Sequence, residues 1–167
     1  NYNEKVLNYC NKRKISKSTV DYVGVKESEG NVVFEYRNEL GEHIANKYRF
    51  TSKSAKVKMM FEKDTNINTL YLMDKANFNE ALVICEGEFD ALSLIEAGYK
   101  NVVSVPTGCK STEWINTNWD FLEKFNEVIL WYDNDQAGKD GAKEVFNRLP
   151  NNIVKIENAT DGAAMIN

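Results

Sequence analysis

The sequence predicts an α/β fold, with an open, mostly parallel sheet flanked by helices and a small α+β subdomain ahead of it. Two observations carry this. From about residue 80, short continuous apolar runs alternate with helical segments, as expected of strands buried on both faces of a sheet. Before that point, residues 32–50 alternate apolar and polar side chains around a turn, the signature of an antiparallel hairpin. The change of pattern divides the chain into a basic N-terminal subdomain, residues 1–79, and a second domain, residues 80–167.

The elements follow in order. Residues 2–13 and 17–23 read as short helices separated by the basic run Lys12-Arg13-Lys14. Residues 32–37 form one arm of the hairpin, residues 38–42 its turn and residues 43–50 the return, and a further strand is expected at 55–61. Ala81-Leu82-Val83-Ile84-Cys85 is the first buried strand. A helix over residues 89–97 follows, with Gly98 in the position that ends it. Residues 102–105 form a second strand, closed by Pro106-Thr107-Gly108, and a helix is expected at 113–124. Residues 128–132 form a third strand. A helix over 142–149 is stopped by Pro150, and residues 153–156 form a fourth strand. Strands separated by helices in this rhythm predict right-handed crossovers, with ligands bound beyond the carboxyl ends of the strands.

Composition narrows the chemistry. The 167 residues hold three cysteines (Cys10, Cys85 and Cys109), none in a CxxC pair, and one histidine, His43. That excludes a Cys/His zinc site and leaves any Ser-His-Asp arrangement hanging on a single residue. No apolar run reaches the roughly 18 residues of a membrane span, and no signal peptide opens the chain. Few, unpaired cysteines fit a reducing, cytoplasmic setting. The first residue is Asn1 rather than Met, as expected of a piece of something longer. The net charge of −4 conceals a split: residues 1–63 carry +5 and residues 64–167 carry −9. A basic half attracts phosphate and an acidic half attracts cations.

The acidic residues fall at the expected strand tips. The first buried strand ends in Glu86-Gly87-Glu88-Phe89-Asp90. Glu86 stands at the tip, Gly87 permits a sharp turn and Asp90 lies in the first helical turn. The third strand ends in Asp133-Asn134-Asp135, whose alternation puts both aspartates on one side, and Asp161 follows the fourth. If these strands are neighbours, four or five carboxylates converge on one edge. Two unit charges about 4 Å apart repel by roughly 4 kcal/mol at an effective dielectric near 20, so such a cluster calls for a cation. All-oxygen ligands select Mg²⁺ first and Mn²⁺ second, and the usual chemistry is phosphoryl transfer. The spacing from Asp133 to Glu144 also imitates an EF-hand loop, but Ala137 replaces a ligand and a strand, not a helix, precedes it.

Glu86-Gly-x-x-Asp90 after a strand, Pro106-Thr107-Gly108 after the next and Asp133-x-Asp135-x-x-Gly138 after a third resemble the toprim fold, over residues 80–161. The stretch Val83–Ser93 most resembles the phage helicase–primases, within the DnaG-like primase family, and the related mitochondrial replicative helicase. Ile15-Ser16, residues 33–37, Gly41 and Lys47-Tyr48-Arg49 are similar to the subdomain that precedes toprim in those primases.

The resemblance implies a DNA primase catalytic core, a nucleotidyltransferase that synthesises short RNA primers from NTPs on single-stranded DNA with Mg²⁺ or Mn²⁺. Glu86 would act near the reacting hydroxyl as base or metal ligand. Asp133 and Asp135 would hold the metal with Asp90 supporting, and Asp161 would supply a third acidic position. Lys47, Arg49 and Lys53, with Gly87, Gly108 and Lys110, would meet nucleotide or template, and Lys56 and Lys58 are weaker candidates. The implied partner beyond DNA and NTPs is a replicative helicase, fused or in trans. The implied setting is a bacterial cytoplasm, and a phage or mobile element is an implied source of the chain. The family usually follows its fourth strand with Lys-Asp-x-Asn, and here only Asp161 of that motif is kept. Two other classes share the residues: a toprim nuclease or DNA-cleaving enzyme, and a non-catalytic nucleic-acid-binding module.

Overall fold

A computed structural model describes residues 2–62, 67–108 and 111–157. Helix α1 (Glu4–Lys12) starts where the Asn3 side chain accepts the Val6 N–H at 3.1 Å. Helix α2 (Lys17–Val23) starts under the Ser16 hydroxyl and ends at Gly24, whose φ of +77° takes the left-handed turn that glycine tolerates. An antiparallel sheet follows in the order β1 (Lys26–Ser28), β2 (Asn31–Arg37), β3 (His43–Arg49) and β4 (Met59–Phe61). Strand β1 carries no apolar signal; it is held by a two-residue turn at Glu29-Gly30, both with positive φ. The strand expected over 55–61 shortens to β4. Residues 51–58 instead loop outward and close where the Phe50 N–H donates to the Lys58 carbonyl at 2.9 Å.

The second sheet is parallel throughout, as the buried apolar runs require. Its strands are β5 (Leu82–Cys85), β6 (Val102–Ser104), β7 (Glu127–Trp131) and β8 (Val154–Glu157), in the order β6-β5-β7-β8. Helix α3 (Glu88–Glu96) crosses from β5 to β6, and α6 (Gln136–Arg148) from β7 to β8. The single helix expected over 113–124 is broken into α4 (Glu113–Thr117) and α5 (Trp119–Glu123). At the break the buried Asn118 side chain donates to the carbonyls of Trp114 and Asn68, so a side chain competes for helix acceptors. Helix α6 begins six residues before the expected residue 142, because Asp135 caps it at Gln136. The chain steps from β5 to β6 on one side and resumes at β7 on the other. The strand order thus reverses at the carboxyl ends of β5 and β7, where a crevice forms.

Alternation along β5 sends its side chains into two cores. Leu82 and Ile84 join Trp114, Phe121, Phe125, Leu130 and Val145 on one face. Val83 and Cys85 join α3 residues Ala91, Leu92 and Ile95 on the other, in a core continuous with Val6 and Val20 of the N-terminal helices and Phe34 and Tyr36 of β2. Tyr71, on the connecting segment, bridges antiparallel to Ser104 of β6 and packs edge-on against Phe34. Glu96 accepts from the Ser16 backbone and hydroxyl, each at 2.9 Å, and from the Thr19 hydroxyl at 2.6 Å, tying α3 to α2. No helix among the described residues is long and apolar enough to cross a membrane.

Candidate active site

The two central strands bring two predicted acids together. Cys85 and Trp131 are paired in register, so the residues following them leave adjacent strand tips side by side. The Asp133 N–H donates to Glu86 Oε1 at 2.6 Å. Gly87 caps α3, and its backbone amide beside the Asp90 carboxylate favours the charged form of that acid. A Cβ at Gly87 would lie 3.4 Å from Asp90 Oδ2, so the turn is close without being closed to other residues. Asp135 caps α6, Oδ1 accepting the Gly138 N–H at 2.7 Å, which leaves Oδ2 clear of that bond. Gly138 allows the approach: a Cβ there would stand 2.0 Å from the Asp133 carbonyl oxygen, inside any tolerable contact.

One carboxyl at this edge is displaced toward its neutral form. Burial, and then the charges of Asp133 and Glu86, push the Asp90 carboxyl up to about 6. Asp133, Asn134 and Asp135 face solvent, and the N-termini of α3 and α6 both point at the edge, adding positive ends of helix dipoles. Among the described residues, no three acidic, histidine or cysteine side chains close a ready-made cage. The donors nonetheless fit a hard divalent cation. They are carboxylate oxygens alone, gathered at one crevice, with a mutual repulsion that a cation relieves. Asp161 and Lys110 lie outside the described residues.

The basic strand β3 lies against this edge in an unexpected way. Lys47 is not a free cation: its Nζ donates to Glu88 Oε2 at 2.9 Å and to the Pro106 carbonyl at 2.8 Å. Glu88, quoted in the sequence motif but given no role, is the buried acid of α3 and also accepts from the Tyr36 hydroxyl. Arg49 Nε donates to the Tyr9 hydroxyl at 3.1 Å, and Arg13 donates to the same oxygen at 3.1 Å while its guanidinium stacks 4.3 Å from the Phe89 ring. Among the described residues neither arginine pairs with a carboxylate. Tyr9, on α1, and Arg13, which caps its end, escaped the sequence reading because their contact with β3 is long-range. The basic run Lys12-Arg13-Lys14 was the available signal. Lys53, Lys56 and Lys58 are exposed on the 51–58 loop, and Gly108, with φ of +74°, turns the chain after β6.

Residues 83–162 match the Toprim-like family. The chain is 30% identical over 166 residues to the Twinkle homolog protein, chloroplastic/mitochondrial, of Arabidopsis thaliana, covering 87% of this chain and 22% of that one. It is 28% identical over 128 residues to the DNA helicase/primase of Enterobacteria phage T3, covering 74% of this chain and 22% of that one. It therefore spans about a fifth of the length of these relatives. Among solved structures, the primase fragment of the bacteriophage T7 primase-helicase superposes with a TM-score of 0.76 at 23% identity, over 93% of this chain and 69% of that one. That superposition establishes the fold, and the family match makes residues 83–162 a toprim-like segment similar in sequence to those helicase–primase relatives.

Proposed function

We propose that this chain is a primase catalytic core, which joins NTPs into short RNA primers on single-stranded DNA. The observation that carries the reading is that Glu86 and Asp133 meet at the strand tips while Arg13 stacks on Phe89 of the same β5–α3 turn and shares the Tyr9 hydroxyl with Arg49, neither arginine having a carboxylate partner among the described residues. Glu86 and Asp133, with Asp90 beside them and Asp135 on the same segment, would hold Mg²⁺ or Mn²⁺. The bound ion would stabilise charge on phosphate oxygens and promote ionisation of the attacking hydroxyl. Arg49 and Arg13, whose shared phenol acceptor orients both guanidiniums, would take the phosphates of nucleotide or template. The Asp133 N–H holds Glu86 at the strand tips through one carboxylate oxygen. The names of the relatives support work beside a replicative helicase, fused or in trans.

The test is synthesis from labelled NTPs on single-stranded templates with Mg²⁺ or Mn²⁺, beside a plasmid-nicking assay. Short RNA products that disappear in Glu86→Ala are expected. Arg49→Ala is expected to raise the KM for NTP about tenfold, the loss of one charge-assisted contact of roughly 1.4 kcal/mol. Nicked plasmid without RNA overturns the reading in favour of a toprim nuclease.

A further inference from the structure

Glu88 sits between two residues that face the crevice, yet it turns inward and is 1% exposed. Its Oε2 accepts from both the Lys47 ammonium and the Tyr36 hydroxyl. Lys47, 13% exposed, also donates to the Pro106 carbonyl and lies 5.1 Å from the centroid of the Phe61 ring. An ammonium has three donors, and a carboxylate, a carbonyl and an aromatic face surround this one. Lys47 therefore cannot turn to a phosphate without abandoning a buried carboxylate, which is strongly unfavourable. The same contacts join three pieces of chain: strand β3, the first turn of α3 and the loop after β6.

We propose that Lys47 is a positioning residue. With the Tyr36 hydroxyl it pins Glu88, and so sets the β5–α3 turn that presents Glu86 and Asp90. Through Pro106 it ties the loop after β6 to the same edge. Divalent-cation binding by the parallel sheet then depends on a lysine of the antiparallel one. This rests on the reading of Glu86, Asp90 and Asp133 as cation ligands.

The roles open to this lysine differ in what they do to cation binding without nucleotide. A phosphate contact, when removed, leaves that binding unchanged and raises the KM for NTP. A positive charge acting through space, when removed, tightens it, because the carboxylates lose a competitor. A positioning residue, when removed, loosens it.

The experiment is titration of the full chain with Mn²⁺ alone, reading free Mn²⁺ by electron paramagnetic resonance. Lys47→Met is expected to weaken Mn²⁺ binding about tenfold, as lost support of metal ligands does. The Lys47→Met/Glu88→Gln double variant should bind no worse than Lys47→Met, because both changes cut one link. Unchanged or tighter Mn²⁺ binding in a folded Lys47→Met protein overturns the proposal. A wild-type chain that binds no Mn²⁺ overturns instead the cation reading beneath it. If circular dichroism shows Lys47→Met unfolded, Tyr36→Phe serves on the same criterion: it keeps the ion pair, removes one hydroxyl and should weaken Mn²⁺ binding about two- to threefold.

Discussion

Asp90 shows how one buried acid costs the fold stability. Its carboxyl, raised to about 6 by burial and by Asp133 and Glu86, ionises near 3.9 in the unfolded chain. The folded state thus binds the proton more tightly, and between about pH 4 and 6 stability falls as pH rises. Above that window the fold carries an ionised group that it disfavours. The ceiling on that cost is about 3 kcal/mol, and partial solvation reduces it to about 1–3 kcal/mol. Asp90→Asn keeps an oxygen for the Gly87 N–H and removes the charge. It should raise Tm at pH 7 by about 2–4 °C per kcal/mol recovered and leave Tm unchanged at pH 4. Saturating Mg²⁺ should narrow the pH 7 difference by neutralising the edge in the wild type. Thermal melts across pH 4–8 check this, and an equal gain at both ends would show that charge is not the cause.

At the scale of elements, Asp135 has two duties that substitution can separate. As the cap of α6 it satisfies the Gly138 N–H; as an acid beside Asp133 it adds negative charge to the edge. Asp135→Asn preserves the cap and should leave stability nearly unchanged while weakening Mn²⁺ binding. Asp135→Ala should lose about 1 kcal/mol of stability as well. Denaturant unfolding paired with Mn²⁺ titration checks both, and equal stability loss in the two variants would remove the capping role. The same helix shows what the sequence conveys. Strands β5 and β6 were legible because burial on both faces leaves continuous apolar runs, β7 and β8 because apolar runs persist there although Val154 is exposed, and the meeting of Glu86 with Asp133 was legible because both follow neighbouring strand ends. The first half of α6 was not, since Gly138 and Gly141 lower helix propensity. Gly138 is explained only by the Asp133 carbonyl packed against it, a contact visible in three dimensions. Strand β1 was hidden for the opposite reason: its Lys-Glu-Ser segment buries little and is held by a turn. The Lys47–Glu88 pair joins residues 41 apart in sequence, and no local pattern marks lysine as buried.

For the whole molecule, the +5 and −9 halves of the chain are packed together rather than strung apart. One core holds Val6, Cys10 and Val20 of the N-terminal helices together with Ala91, Leu92 and Ile95 of α3, and Tyr71 bridges to β6 between them. The halves should therefore unfold as one cooperative unit. The sequence supplies a clean reporter, because all three tryptophans (Trp114, Trp119 and Trp131) lie in the parallel-sheet half. Val20 is fully buried in α2, in the other half. Val20→Ala removes two methyl-sized groups and leaves a cavity, at about 1–3 kcal/mol. It should lower the midpoint read by tryptophan fluorescence by about 2–4 °C per kcal/mol, in step with the loss of far-ultraviolet dichroism. A tryptophan transition that stays in place while dichroism shifts would mean that the basic subdomain melts alone. Strand β3 would then not be held against the carboxylate edge by the shared core, and Arg49 could not be kept in register with the strand tips.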